Sequence, residues 1–391
     1  MQRRRFLSLS ASLGACALPV CASSTSLIPT VAHAAPASAI STVPATPNAA
    51  DGWRTFELTT QVDLPAGNGP ANVWLPVATT PSGAYQTALG THWDAPGARA
   101  ELRMVRGASG IGVPLLAVAW PQSASQAPRT VTLTNTFATR DRRVDLSQPP
   151  SDNAPRESAA VLRQYLQPTE LQPTDGLVRE TAEKITLGHK GDVEKARAIY
   201  QWIVDNCRRE GSVRGCGTGD VRYMLTTGDL AGKCADINAL FTALARSVGI
   251  PARDAYGVRV ATSRHGFNSL GKAGDVTRAQ HCRAEFYAAG YGWVPVDPAD
   301  VRKVVLEEVP GGLPLDDLRV RAARAMLFGQ WEMNWVAFNH GADIALPGAQ
   351  AGAKGAVPFL MYPNGELAHA RLDSLDPDTF RYRMNAREIT A

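Results

Sequence analysis

Gly232-Lys233-Cys234-Ala235-Asp236-Ile237-Asn238-Ala239-Leu240-Phe241-Thr242-Ala243-Leu244-Ala245-Arg246-Ser247-Val248-Gly249-Ile250-Pro251 is the stretch on which the fold turns. Ile237, Leu240, Phe241, Leu244 and Val248 recur at three- and four-residue spacing. The spacing predicts a helix over 233–248 with one apolar stripe, ended by Gly249 and Pro251. Cys234 falls in its first turn, where unpaired backbone N–H groups and the positive end of the helix dipole favour a thiolate. The Cys234 N–H is also placed to donate to an oxyanion, because helix N-termini bind anions. Gly232 allows close backbone approach at that turn. A cysteine at an arbitrary helix position is usually a core residue. The position at the helix start is what separates this one from that default.

Downstream, 280–287 and 291–297 read as two strands of a hairpin around Ala288-Ala289-Gly290. With Tyr287 facing Tyr291, Glu285 opposes Trp293, Arg283 opposes Pro295 and His281 opposes Asp297. Period-two alternation then puts His281 and Asp297 on one face. A carboxylate beside an imidazole fixes its tautomer and stabilises its protonated form, as a general base requires. A surface His–Asp pair has the same pattern, so the hairpin gains its meaning from the cysteine helix before it.

Cysteine at a helix start, then a His strand, then an Asp strand, resembles the transglutaminase-like superfamily of papain-like thiol enzymes. The resemblance rests on Gly232-Lys233-Cys234-Ala235-Asp236, Leu240-Phe241-Thr242-Ala243-Leu244-Ala245-Arg246 and Gly249-Ile250-Pro251-Ala252-Arg253. It continues in His281-Cys282-Arg283-Ala284-Glu285-Phe286 and Gly292-Trp293-Val294-Pro295-Val296-Asp297-Pro298, so it spans roughly residues 190–300. It implies Cys234 as nucleophile, His281 as general base and acid, and Asp297 as the group that orients it. Cys282-Arg283 departs from the family, where many members carry a small residue and then an aromatic. The strand pattern puts Arg283 on the face of His281, which would make the cleft more polar, and turns Cys282 to the opposite side as a core thiol. Tyr223 and Lys233 are the remaining candidates for the cleft and the oxyanion site, although a structural role is the commoner one for such a Tyr.

Upstream of the helix the pattern changes. Short runs at 55–59, 71–75, 115–120 and 130–137 carry β-branched and aromatic residues. Turns such as Pro65-Ala66-Gly67-Asn68-Gly69-Pro70 separate them. Residues 51–146 are therefore expected to form an all-β sandwich, similar to the N-terminal domain of some bacterial relatives. A linker follows over 147–173, then a catalytic core over 174–310 and a C-terminal extension over 311–391 that packs on the core. The expected class is α+β. Within the core, Thr174 or Asp175 caps one helix and Asp192 a second, bearing Ala196, Ile199, Tyr200, Ile203 and Cys207. A Gly-rich loop over 211–219 reads as a cleft rim and lacks the spacing of a dinucleotide fingerprint. A further helix is expected near 315–335, with Trp331 and Trp335 one turn apart, and a late strand at 380–384.

Arg3-Arg4-Arg5-Phe6-Leu7, a modest apolar run to Val20 and Ala32-His33-Ala34 read as an export signal over 1–34 of twin-arginine type, with a general secretory signal as the alternative. Residues 35–50 read as a flexible leader. Leu13-Gly14-Ala15-Cys16 ranks third, as a lipoprotein box. These features predict a periplasmic or secreted protein, and no later stretch is apolar enough for a membrane span. The 391 residues include 40 Lys and Arg against 36 Asp and Glu; without Arg3, Arg4 and Arg5 the count is 37 against 36. A nearly neutral chain has no global reason to bind nucleic acid. Of six cysteines, Cys16 and Cys21 fall in the signal, which leaves Cys207, Cys216, Cys234 and Cys282. That is too few for a disulfide scaffold. Cys207–Cys216 is the shortest candidate bridge, and unbridged thiols are the equal alternative. No C-x-x-C or H-E-x-x-H spacing predicts a metal, and no calcium loop occurs, so no cofactor is expected.

Taken together, the chain reads as an exported thiol enzyme acting on amide bonds of peptides or proteins, with hydrolysis as the expected outcome. Cell-wall peptides are the substrate suggested by compartment alone. The alternatives are protein cross-linking by acyl transfer to an amine and a catalytically silent binding module.

Overall fold

Every second side chain of the first strand, β1 (Arg54–Leu64), is buried from Phe56 onward, and this alternation recurs in β6 (Arg129–Thr139). Between them lie β2 (Ala71–Pro76), β3 (Gln86–Asp94), β4 (Arg99–Arg106) and β5 (Gly112–Trp120), and β7 (Arg142–Arg143) follows. The structure is a computed structural model describing residues 52–67, 69–79, 85–122, 127–350 and 356–389. The expected signal and leader, with Cys16 and Cys21, lie outside the described residues.

The helical part opens with α1 (Ala159–Gln164), α2 (Gly176–Thr186) and α3 (Gly191–Asn206), then β8 (Arg208–Arg209), α4 (Val221–Thr227), β9 (Ala231–Gly232) and α5 (Cys234–Ser247). Asp175 is the N-cap of α2, whereas Asp192 sits inside the first turn of α3. The chain continues through β10 (Ala252–Arg259), β11 (Gly274–Asp275), β12 (Gln280–Ala288), β13 (Gly292–Val296) and α6 (Pro298–Glu307). Its last part comprises α7 (Leu318–Met326), β14 (Gln330–Trp331), β15 (Trp335–Asn339), β16 (Ile344–Ala345), β17 (Ala356–Val357), β18 (Asn364–Leu367), β19 (Ala370–Arg371), α8 (Pro377–Phe380) and β20 (Tyr382–Ile389).

Two five-stranded sheets, ordered β11-β20-β1-β6-β3 and β19-β18-β2-β5-β4, form the sandwich. Their inner faces meet in one core containing Phe56, Leu58, Val73, Leu75, Val118, Leu133 and Phe137. A four-stranded antiparallel sheet, β13-β12-β10-β15, packs against α5, every residue of which is buried. That total burial explains why its apolar stripe is so broad: α2, α3 and α6 cover the faces that the sheet leaves. The architecture is α+β, with a β-rich N-terminal part and a mixed helix–sheet core.

The last 80 or so residues do more than pack on that core. β20 pairs with β1 along eight residues, β18 pairs with β2, and β15 extends the core sheet beside β10. The chain therefore returns to complete the sandwich it began with. The helix expected near 315–335 is shorter and covers only Leu318–Met326. Gly329 takes a φ of 117° and donates to the Pro295 carbonyl, which turns the chain into β14 and β15. Trp331 and Trp335 thus lie on strands, and their rings meet edge to face at 5.8 Å. Among the described residues no helix is long and apolar enough to cross a membrane.

Candidate active site

Cys234 is the first residue of α5, and the turn before it is built by one carboxylate. Asp236 accepts from the Lys233 N–H at 2.9 Å and from the Thr218 and Gly219 N–H groups at 2.9 Å each. The Ala235 N–H donates to the Cys216 carbonyl at 2.8 Å. These bonds tie the Gly-rich loop to the helix start. Gly217 is required there: its φ is 89°, and a Cβ would fall 1.8 Å from Asp236 Oδ2.

The hairpin register differs from expectation. Tyr287 pairs with Trp293 and Ala284 with Val296, around the turn Ala289-Gly290-Tyr291, so the strands are displaced by two residues from the expected pairing. Positive φ values at Gly290 and Gly292 place the turn there. A slip of two preserves the face of every side chain, whereas a slip of one would invert it. His281 and Asp297 therefore still share a face, but as a diagonal pair. Asp297 follows β13 directly and is the N-cap of α6, so its carboxylate is fixed from both sides. Oδ2 lies 2.7 Å from His281 Nε2, and Oδ1 accepts from the Asp300 N–H at 3.0 Å and from Asn238 Nδ2 at 3.2 Å. Asn238 also donates to the Cys282 carbonyl at 2.8 Å. With Nε2 turned to the carboxylates, the other ring nitrogen is the one left for Cys234.

Electrostatics favour an ion pair between thiolate and imidazolium. Burial alone would raise the Cys234 thiol, but hydrogen bonds from Cys216, Cys282 and His281, with the His281 charge, hold it well below its ordinary value. Burial and the Arg259 charge oppose protonation of His281, yet Asp300 and Asp297 prevail and raise it to about 9. Burial and the nearby Asp300 charge push Asp297 up, while Arg259, 2.5 Å away, is the main influence holding Asp300 well down against burial. All of these groups are buried, and Cys234 and His281 line a cleft of about 550 Å³.

The four described cysteines are free thiols. The candidate Cys207–Cys216 bridge is not formed. Cys216 instead joins Cys234 and Cys282, their sulfurs all within 4.8 Å of one another, with Cys282 Sγ 3.8 Å from Cys234 Sγ. Cys282 is indeed buried, but it faces the nucleophile candidate rather than a remote core. The hydrogen bond to Cys234 and burial, respectively, lead the influences that keep Cys216 and Cys282 well above the ordinary thiol range, so both are S–H donors. Those three sulfurs are one group with the spacing to hold a thiophilic metal, and His281, Asp297 and Asp300 are another.

Other expected residues are placed differently. Lys233 lines the cleft. Arg283 does not: it is buried behind Asp297, with Nε 3.6 Å from Oδ2, its guanidinium over the Trp331 and Trp335 rings and Nη1 donating to the Glu332 carbonyl. Trp331 and Trp335 cover the guanidinium and keep it from the cleft. Tyr223 is 59% exposed on α4, away from the cleft wall. Asp300 and Asn238 went unrecognised in the sequence. Both carry a helical signal, three residues after Asp297 and four after Cys234.

Residues 179–298 match the family model of the transglutaminase-like superfamily. An uncharacterized protein of Haemophilus influenzae is 36% identical over 352 residues, covering 85% of this chain and 91% of that one. The chain belongs to the transglutaminase-like superfamily. Among solved structures, this transglutaminase-like protein is similar to a candidate cysteine protease from Cytophaga hutchinsonii, at 17% identity and a TM-score of 0.49, over 86% of this chain and 98% of the other. It is also similar to the periplasmic domain of TgpA from Pseudomonas aeruginosa, at 14% identity and a TM-score of 0.31, over 70% and 75% of the two chains.

Proposed function

We propose that this protein is an exported thiol hydrolase that cleaves amide bonds of peptides or proteins. The observation that carries the reading is that Cys234 and His281 line one cleft, with His281 held by Asp297 at 2.7 Å. The Cys234 thiolate attacks the amide carbonyl, and the Cys234 N–H at the start of α5 stabilises the oxyanion. His281, already protonated, gives its proton to the departing amine, leaving a thioester on Cys234. His281, now neutral, takes a proton from water as that water attacks the thioester, and release of the acid restores the ion pair. Asp297 keeps the ring oriented throughout, and Asp300 adds negative charge to the imidazolium. The chemistry needs no cofactor.

An amine in place of water would give cross-linking through the same residues. Hydrolysis is favoured because, among the described residues, no group beside Cys234 marks a dedicated amine site and water is abundant in the compartment expected from residues 1–34. Mass spectrometry of products from a glutamine-containing peptide with a primary amine distinguishes the outcomes. Hydrolysed product that disappears in Cys234→Ala supports the reading. Dominant amine adducts, or product formation unaffected by Cys234→Ala, overturn it.

A further inference from the structure

The cleft above Cys234 and His281 has two walls, and both are basic. One wall belongs to the core and carries Arg209, Lys233, Arg259 and Lys303. The other carries Lys272 and Arg278, from the excursion between β10 and β12, and Arg383, from the returning strand β20. Among the described residues, Asp275 and Asp378 are the only acidic side chains lining it.

The pairing of these charges decides how much is left for a ligand. Arg259 is taken by Asp300 at 2.5 Å and Arg278 by Asp378 at 2.7 Å. Arg209 and Lys303 share the single carboxylate of Glu307. Lys272 and Arg383 share the field of Asp275, which hydrogen bonds from Thr277, ahead of those two charges, keep ionised. Lys233 forms no salt bridge among the described residues and lies in the field of Glu210. Five cations thus meet three carboxylates, a surplus of two positive charges at the cleft. At the floor, Cys234 and His281 balance each other, and the buried Arg259, Arg283, Asp297 and Asp300 do the same. The whole chain has an excess of only +4, three of it from Arg3, Arg4 and Arg5, so the cleft surplus is large for this protein. A concave, poorly screened site focuses such a field on whatever enters it.

We infer that the cleft selects acidic polypeptides, with Asp or Glu side chains or a free carboxylate flanking the amide to be cleaved. The inference rests on the thiol-hydrolase reading for its choice of anion. A thiolate acts on an acyl group, so the negative charge must be carried by the acyl donor, and carboxylates are how a polypeptide carries it. Lys233 is adjacent in sequence to Cys234 and meets a carboxylate close to the scissile bond. Lys272 and Arg383 meet more distant ones across the cleft. The return of β20 to the sandwich supplies part of the selecting surface.

Binding tests this without requiring turnover. Three fluorescent peptides of equal length, flanked by Glu, by Gln or by Lys, are titrated by anisotropy into the Cys234→Ala protein. The Glu peptide is expected to bind about tenfold or more tightly than the Gln peptide, with the Lys peptide weakest, and the difference to collapse at ~0.5 M salt. In Lys272→Glu/Arg383→Glu, both exposed positions, the preference is expected to shrink or invert, with far-ultraviolet circular dichroism checking the fold. Equal binding of the three peptides, no binding of any, or a preference indifferent to salt overturns the inference, and the salt series needs no second variant. Turnover by the unsubstituted protein separates the two readings. Glu-selective binding without any cleavage removes the hydrolase and leaves the charge preference. Indiscriminate cleavage of all three does the reverse.

Discussion

His281 Nε2 and Asp297 Oδ2 lie 2.7 Å apart although the two residues are not partners in the β12–β13 ladder. Asp297 reaches the ring from beyond the strand end, where it also caps α6 and accepts from Asn238. One side chain thus joins the hairpin, the cysteine helix and the following helix, and holds the imidazole in orientation toward Cys234.

Removal of that hold should cost rate more than structure. Asp297→Asn keeps the cap geometry but forfeits the charge on the imidazolium, so kcat/KM is expected to fall by about 10²–10⁴-fold. Cys234→Ala and His281→Ala should abolish turnover. Steady-state kinetics together with thermal melting checks this, since a loss of rate that merely follows a loss of fold would assign Asp297 a structural role.

The pH profile should be a broad plateau. Its acid limb follows protonation of Cys234, well below the ordinary thiol range, and its alkaline limb follows loss of the His281 proton near pH 9. The corresponding stability has a definite sign. A histidine raised from 6.5 contributes fully below about pH 6.5, and its contribution is lost as pH rises through about 9. Iodoacetamide labelling read peptide by peptide should modify Cys234 selectively at mildly acid pH, ahead of Cys207. Equal reactivity of the two would mean that the ion pair is absent.

Cys216 and Cys282 should tune that reactivity. Each donates toward the Cys234 sulfur, so Cys216→Ala and Cys282→Ala should move the acid limb of Cys234 alkylation upward in pH, while the serine replacements move it less. An unchanged labelling profile in both alanine variants would leave the two thiols with packing alone.

Glu285 should matter for stability rather than chemistry. It is fully buried, 2.7 Å from Arg142 on β7 and 3.3 Å from Arg253 on β10, so it links the short β7–β14 ribbon to the core sheet. Burial alone would raise its carboxyl, but Arg142, Arg253 and His340 hold it at about 2. Glu285→Gln leaves two largely buried guanidinium groups uncompensated and is expected to cost about 3–5 kcal/mol by urea denaturation. In the unsubstituted protein the same contribution should be present above pH 4.5 and disappear as pH falls toward about 2.

Local pattern carried much of this architecture. The five apolar positions from Ile237 to Val248 define α5, and the alternation along β1 and β6 defines the sandwich. Period-two geometry put His281 and Asp297 on one face even with the turn misplaced, because an even slip changes partners without changing sides. Trp331 and Trp335 misled for a related reason. Two aromatics four residues apart suit one face of a helix, but the turn at Gly329 starts strands instead, and Trp331 and Trp335 fall on two of them, β14 and β15.

By itself, then, the sequence determined the α+β class, the β-rich start, the cysteine at the head of a buried helix and the order of the three site residues. Each of these is written in contacts within a few turns or one hairpin, where spacing alone sets which side chains share a face. Tertiary structure decided the rest. It brought Cys216 and Cys282 to the Cys234 sulfur from a loop and a strand, set Asp300 and Asn238 around Asp297, and hid Arg283 between two tryptophans. It also returned β20 to the first sheet to form the second wall of the cleft. These contacts join residues up to 334 positions apart, such as Arg54 and Glu388. No periodicity in the chain records them, because they are fixed only when separate elements find a common core.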